Sequence, residues 1–123
     1  MKRHPRLQPF SREHHQALSL GLALTQQRPG AQALLASQKN SLLQHFEEEE
    51  RQFAPLFAIW SETQLSDRFY AEHQQLRAAL ASPNPNEQQS LGQALIDHVR
   101  FEERVLFVAI EAHWQATPHR ERA

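Results

Sequence analysis

Apolar residues recur every three or four positions over most of the chain, which is the spacing of helices that bury one face. Ser11 is the predicted N-cap of the first helix, and Pro55 is expected to kink or end the second, leaving a short last turn up to Trp60. With the breaks at Arg28-Pro29-Gly30 and at 82–86, the pattern predicts four helices, at about 11–27, 31–54, 64–81 and 87–115. Four amphipathic helices with short connections predict an all-α fold, an antiparallel up-and-down four-helix bundle.

The segments outside the helices predict how the chain is organised. Residues 1–10 hold two prolines and several basic side chains and are expected to form an irregular arm, and residues 116–123 are expected to be a tail. The bundle core then covers about 10–115 of one domain, 1–123. Because no apolar leader and no stretch of membrane-spanning length is visible, the sequence predicts a soluble cytoplasmic protein without membrane contact.

The amino-acid composition limits the kinds of partner and of metal site that the chain can have. A hydrophobic fraction of 40% with only 3 glycines favours helices, and 13 basic against 14 acidic residues give no basic cluster for a nucleic-acid partner. The chain has no cysteine, which excludes disulfides, iron–sulfur ligation, zinc thiolate sites and cysteine catalysis within it. Any metal must therefore be bound by histidine and carboxylate.

A seven-residue string occurs twice, as His45-Phe-Glu-Glu-Glu49-Glu50-Arg51 and as His98-Val-Arg-Phe-Glu102-Glu103-Arg104. Positions four apart share a helix face, so each string presents an imidazole and a carboxylate together. Both faces are apolar otherwise, with Leu42, Phe53, Leu56 and Trp60 around the first pair and Leu91, Leu95, Val105 and Leu106 around the second. A carboxylate on such a face costs several kcal/mol, roughly, unless a cation or hydrogen bonds compensate it.

The other two helices each offer one histidine at a similar level. His73 lies on the stripe of the third helix; in the first, His15 shares its stripe with Leu18 and Leu22 and is preferred, with His14 expected outside the ligand set or exposed. Glu50 and Glu103 are candidates for orienting these ligands. The predicted metal ligands are His15, His45, Glu49, His73, His98 and Glu102.

This set has too many ligands for one tetrahedral zinc and too much nitrogen for calcium or magnesium. Two metals bridged by two carboxylates fit better, and imidazole with carboxylate suits iron or manganese, with zinc or copper as substitutes. Ferritin-like di-iron bundles use Glu-x-x-His pairs. No glutamate in this chain has a histidine three residues later, which argues against that class.

Over residues 10–115 the chain resembles the hemerythrin-like (HHE cation-binding) domain. The matching elements are His15-Gln-Ala-Leu18, the His45 to Glu49 pair, Glu72-His73-Gln-Gln-Leu76 and the His98 to Glu102 pair. The resemblance implies a centre of two non-haem iron ions, with histidines capping each iron, Glu49 and Glu102 bridging, and an oxo or hydroxo third bridge. Family roles are oxygen binding, sensing of oxygen or nitric oxide, iron handling and iron–sulfur repair.

Two positions depart from the oxygen-carrying hemerythrins. Arg77 stands where those proteins have a second histidine in the third helix, and they use an aspartate five residues after the fourth-helix histidine, where this chain has Glu103 beside the better-placed Glu102. Four-histidine relatives of the stress-response and repair type are therefore closer.

The resulting expectation is a protein that binds or senses O2, NO or peroxide, or serves iron and stress homeostasis. A binding protein is favoured over an enzyme. The alternatives are an iron–sulfur repair or peroxidase-like enzyme, and an unmetallated structural or interaction bundle. The sequence does not indicate an oligomeric state.

Overall fold

The computed structural model describes residues 3–81 and 84–116, which form helices and, within those ranges, no strand. A 3-10 turn, Pro85–Glu87, precedes the fourth α-helix, and a π-helical turn, Glu102–Leu106, joins that helix to a fifth in the place of the predicted continuous fourth helix. The α-helices are α1 Gln8–Thr25, α2 Ala31–Phe57, α3 Thr63–Ala81, α4 Gln88–Phe101 and α5 Phe107–Ala116. The all-α prediction is confirmed for the described residues. In that part of the chain, no helix is both long enough and apolar enough to cross a membrane.

The helices pack in a closed ring, because α1 and α3 each contact both α2 and α4. Their inner faces form two apolar clusters. The first includes Ala17, Leu42, Phe46, Leu76 and Leu95, and the second includes Phe10, Phe53, Phe69, Phe101 and Phe107. In each of α1 to α4, a residue of one cluster precedes a histidine or glutamate and a residue of the other follows it. The described residues therefore form a helical bundle with a polar layer between two apolar layers.

The N-terminal segment differs from the prediction. The first helix begins at Gln8, not after Ser11, because Pro9 falls in the first turn, where its missing N–H costs no helical hydrogen bond. Leu7 is fully buried, and Arg3 pairs with Glu111, so residues 3–10 pack against the bundle. Residues 1–2 of the predicted arm lie outside the described residues.

Pro55 does not end the second helix, which continues to Phe57. Proline removes only the hydrogen bond to the carbonyl of Arg51, an exposed residue. The last turn is held by the N–H of Ala58 donating to Ala54 and by the burial of Trp60. Of the other predicted irregular segments, residues 82–83 and 117–123 lie outside the described part, and Ala116 belongs to α5.

Two glycines allow α1 and α4 to approach closely. A Cβ atom on Gly92 would lie 2.6 Å from the carbonyl oxygen of Gly21, and one on Gly21 would lie 2.9 Å from the carbonyl oxygen of Gly92. Since both obstacles are backbone atoms, neither can move without shifting a helix. The two glycines therefore limit how closely α1, which carries His14, can approach α4, which carries His98.

We expect Gly92→Ala to lower the free energy of unfolding by about 1–3 kcal/mol, because the added methyl group forces α1 and α4 apart. The measurement is the midpoint of denaturant unfolding. Ser90→Ala, at an exposed position of the same helix, is the control and should stay within about 0.5 kcal/mol. An increase in stability of Gly92→Ala, as helix propensity alone predicts, would contradict the close contact.

Candidate metal centre

Six side chains converge in the polar layer of the bundle. Glu49 on α2 and Glu102 at the start of the π-helical turn have no exposed surface, and the four histidines are at most 6% exposed. The histidines come one from each of α1 to α4: His14, His45, His73 and His98. Buried groups of this kind require compensation by opposite charge or by hydrogen bonds.

The six residues form two groups of four that share the two glutamates. In the first group, Glu49 Oε2 lies 3.5 Å from His14 Nε2 and 3.2 Å from His45 Nε2, and Glu102 Oε1 lies 2.7 Å from His14 Nε2. All ligand atoms within each group lie within 4.8 Å of one another.

In the second group, Glu49 Oε1 lies 3.2 Å from His73 Nε2, while Glu102 Oε2 lies 3.4 Å from His73 Nε2 and 3.1 Å from His98 Nε2. Each carboxylate thus divides its two oxygens between the two pairs of imidazoles. This is the arrangement of two carboxylate bridges between two metal positions.

Several atoms of this centre have no hydrogen-bond partner among the described residues. They are the Nε2 atoms of His45, His73 and His98, both oxygens of Glu49, and Oε2 of Glu102. Ligand atoms about 2.1 Å from a shared ion are separated by roughly 3.0–3.4 Å at octahedral or tetrahedral angles. The distances of 3.1–3.5 Å between most of these nitrogens and oxygens match that separation. The donor set therefore fits a pair of metal ions.

The other ring nitrogen of each of the four histidines in the centre contacts a carboxylate. The Nδ1 atoms of His14, His45, His73 and His98 lie 2.6, 2.6, 2.8 and 2.7 Å from Glu103, Glu13, Glu50 and Glu72, respectively. When Nδ1–H donates to a carboxylate, Nε2 is left with its lone pair directed inward. Such carboxylate–histidine pairs fix the tautomer and the ring orientation of metal ligands and raise their basicity.

Three of these four outer carboxylates are held by an arginine. Arg77 donates to Glu50 at 2.6 Å, and Arg68 donates to Glu72 at 2.7 Å. Arg3 lies 3.2 Å from Glu103, which also accepts from the hydroxyl of Ser11 at 2.7 Å. Arg77 thus contacts Glu50 and not the centre itself.

The π-helical turn begins at Glu102 and changes the helix face that follows it. The N–H of Phe107 donates to the carbonyl of Glu102, five residues earlier, and this adds one residue to the turn. As a result Val105, predicted on the buried stripe, is 42% exposed, whereas Leu106 and Phe107 are fully buried. Glu102 itself lies in the centre, four residues after His98, and its neighbour Glu103 contacts Nδ1 of His14.

Burial and the neighbouring carboxylates shift the pKa values of the histidines in opposite directions. Burial lowers the pKa of His14, but hydrogen bonds to Glu102 and Glu103, together with the nearby carboxylate of Glu49, outweigh it and raise that pKa to about 12. The same balance between burial and the carboxylates raises the pKa of His73 to about 9 and that of His98 to about 10. Burial raises the pKa of Glu102, and the histidines lower it well below its usual value. In the metal-free protein, protons on the imidazoles therefore compensate the carboxylates.

The structure brings together five of the six predicted ligands: His45, Glu49, His73, His98 and Glu102. It places the sixth, His15, on the surface and puts His14 in the centre, so sequence reasoning chose the wrong one of two adjacent histidines. The buried stripe of α1 runs through Phe10, His14, Ala17 and Gly21, and the apolar Leu22 that favoured His15 is 42% exposed.

The outer carboxylates were predicted in part. Glu50 and Glu103 contact histidines as expected, but Glu13 and Glu72 were missed. Both belong to a different helix from the histidine that they contact. The one signal for them in the sequence is that each immediately precedes a histidine of the centre.

Comparisons of this chain with protein families, with curated proteins and with solved structures find no match.

We expect His14→Ala to lower the affinity for at least one metal ion by about tenfold or more, because it removes an inward nitrogen. Its matched control is His15→Ala, one residue away and exposed, which should bind as the unchanged protein does. The measurement is metal content per chain after equilibration at limiting free metal. Equal losses in the two variants would contradict the assignment of His14.

The stability of the metal-free protein should fall as pH rises. Folding raises the pKa of His73 from 6.5 to about 9 and that of His98 to about 10, so the folded state binds more protons. Their stabilisation is complete below pH 6.5 and is lost as pH rises through 9 and 10. Thermal melts at pH 6.5 and at pH 9, in the presence of a chelator, measure this fall in stability. Bound metal should make the fall smaller, because an imidazole that ligates a metal has no proton to lose. A metal-free Tm that rises over this range would count against the proton-compensated centre.

Proposed function

We propose that this chain is a hemerythrin-like protein that holds two non-haem iron ions and binds or senses O2, NO or peroxide. One observation carries the proposal: two buried glutamates divide their oxygens between two pairs of histidine nitrogens, and most of these atoms have no other partner. An interaction bundle without metal has no use for such a costly arrangement.

The order of the apolar layers supports the antiparallel up-and-down arrangement of that family. Along α1 and α3, a residue of the second cluster comes before the histidine and a residue of the first cluster follows it. Along α2 and α4 the order is reversed. Helices that alternate in direction produce this alternation.

The ligand chemistry supports iron. Each ion would receive two imidazole nitrogens and two carboxylate oxygens, a mixed set that suits iron or manganese, with zinc as a substitute. Four protein ligands leave positions of a six-coordinate ion for solvent and for a small molecule. An iron pair supplies, when bound, redox chemistry and affinity for O2, NO and peroxide. His14, His45, His73 and His98 would cap the ions, and Glu49 and Glu102 would bridge them.

The residues around the centre favour the binding of a small ligand over catalytic turnover. The centre lies between two apolar layers, and the nearest side chains are aromatic: Phe46 and Phe69 contact His73, and Phe107 stacks on His14 at 5.5 Å between ring centroids. These apolar rings limit the access of bulk water to the centre. The proposed location is cytoplasmic.

Protein loaded with ferrous iron without air should contain close to two irons per chain, acquire the absorption of an oxygen-bridged iron pair in air, and change spectrum with NO. Glu49→Gln should lose at least one iron, because an amide cannot bridge through two oxygens. The control is Glu47→Gln, two residues away on the exposed face of α2. Failure to bind two ions, or equal behaviour of the two variants, would overturn the proposed function.

Loaded protein should also unfold at a higher temperature than metal-free protein. Ligand linkage contributes about 2.7 kcal/mol when free metal exceeds the dissociation constant by about a hundredfold. The double variant His45→Ala with Glu49→Ala should lose this metal-dependent increase. An increase that survives in the double variant would place the binding elsewhere, and the absence of any increase would favour the unmetallated bundle.

A further inference from the structure

The four histidine–carboxylate pairs close the four lateral seams of the bundle, where a seam is the line of contact between two neighbouring helices. Glu13–His45 joins α1 to α2, Glu50–His73 joins α2 to α3, and Glu72–His98 joins α3 to α4. His14–Glu103 joins α1 to the π-helical turn. Apolar clusters fill the bundle above and below the centre, so a hydrated ion has to enter through one of these seams.

In three of the seams an arginine holds the carboxylate in place, and in the fourth seam no described arginine does so. Glu50, Glu72 and Glu103 are each paired with an arginine, and their side chains are 22–27% exposed. Glu13 is 54% exposed, and among residues 3–81 and 84–116 no arginine is paired with it. Its carboxylate can therefore rotate away from His45 without breaking a second interaction.

A polar cavity of about 490 Å³ lies along the α1–α2 seam and reaches both Glu13 and His45. Gln16, Gln38, Ser41 and Gln44 line it with side chains that carry oxygen. Glu48, which accepts from Arg51, and the basic residues Arg12 and His45 also line the cavity. The side-chain oxygen of Gln38 is buried and has no partner among the described residues. Oxygen ligands of this kind replace the water around a hard divalent cation.

The rival passage is a cavity of about 410 Å³ along the α3–α4 seam, which reaches Glu72 and His98. Its walls include the apolar side chains of Leu76, Ala79, Leu91 and Ala94. Arg68 holds Glu72 and also lies over the ring of Phe101, 4.1 Å from its centroid. Oxygen-bearing side chains such as Glu87 and Asp97 line this cavity as well, so the two seams differ in the arginine that holds Glu72 and not in the supply of oxygen ligands. This seam therefore resists opening.

We propose that divalent metal, in the first place ferrous iron, enters and leaves the centre through the α1–α2 seam. Glu13 is the movable carboxylate: it releases His45, takes the incoming ion from the cavity and returns to Nδ1 when the ion has passed. The role of Glu13 is thus metal delivery in addition to positioning. This inference rests on the proposed dinuclear centre.

Two matched variants test the passage, because Ser41 and Ala94 each lie four residues before a histidine of the centre and line the two rival cavities. Metal-free Ser41→Trp should take up ferrous iron, without air, about tenfold more slowly, a barrier increase of about 1.4 kcal/mol. It should still reach two ions per chain. Ala94→Trp should load within about twofold of the unchanged protein. Circular dichroism before loading verifies that both variants are folded.

A second pair of variants tests whether an arginine that holds the outer carboxylate slows the passage of the ion. Gln16→Arg places a guanidinium three residues after Glu13 on the same helix and should slow both uptake and chelator-driven release of iron. Arg68→Gln frees Glu72 and should accelerate release through the α3–α4 seam. Adding Ala94→Trp to Arg68→Gln should reverse that acceleration.

The outcomes separate this inference from the proposed function. If the unchanged protein takes up no pair of ions, the dinuclear centre itself is wrong. If it binds two ions but Ser41→Trp loads at the normal rate, the centre stands and the α1–α2 passage is wrong. Slow loading of Ala94→Trp alone would assign the passage to the α3–α4 seam, and equal slowing of both tryptophan variants would refute a single passage.

Discussion

The structure depends on the compensation of two carboxylates, Glu49 and Glu102, that are fully buried and lie close enough to repel each other. Desolvation of each charge costs several kcal/mol, roughly, and mutual repulsion adds to it. The four imidazoles can meet this cost with protons when no metal is present, or as neutral ligands when two cations supply the charge. Either way, one histidine from each of α1 to α4 has to reach the same layer, so the site constrains the positions of the helices.

Charge alternates outward from this layer to the protein surface. Inward imidazole nitrogens face the two buried glutamates, outward nitrogens face four further glutamates, and Arg3, Arg68 and Arg77 face three of those. Because every outer carboxylate except Glu13 is held in turn, the orientation of most imidazoles is fixed by groups two contacts away. Arg3 extends this network into the N-terminal segment, which explains why that segment packs against the bundle.

The sequence predicted the elements that depend on short-range periodicity and missed those that depend on contacts between helices. The His45 to Glu49 and His98 to Glu102 pairs are readable because four residues make one helical turn. The choice between His14 and His15 depends on how α1 packs against α4, where Gly21 and Gly92 make the contact. The leucines near these histidines predicted the wrong buried face of α1. The π-helical turn leaves no periodic signal either, because a single added residue resembles an ordinary irregularity of the stripe.

The two groups of candidate ligands are equivalent, with two imidazoles and two carboxylate oxygens each, so any difference between the groups has to come from outside them. The outer carboxylates provide one. Both carboxylates behind His73 and His98 are held by arginine, whereas the pair behind His14 and His45 includes the exposed Glu13. A fixed carboxylate holds its imidazole in one orientation, and a mobile one lets the ring and its ion relax. Arg77, which donates to Glu50, therefore contributes to the difference between the two groups without being a ligand itself.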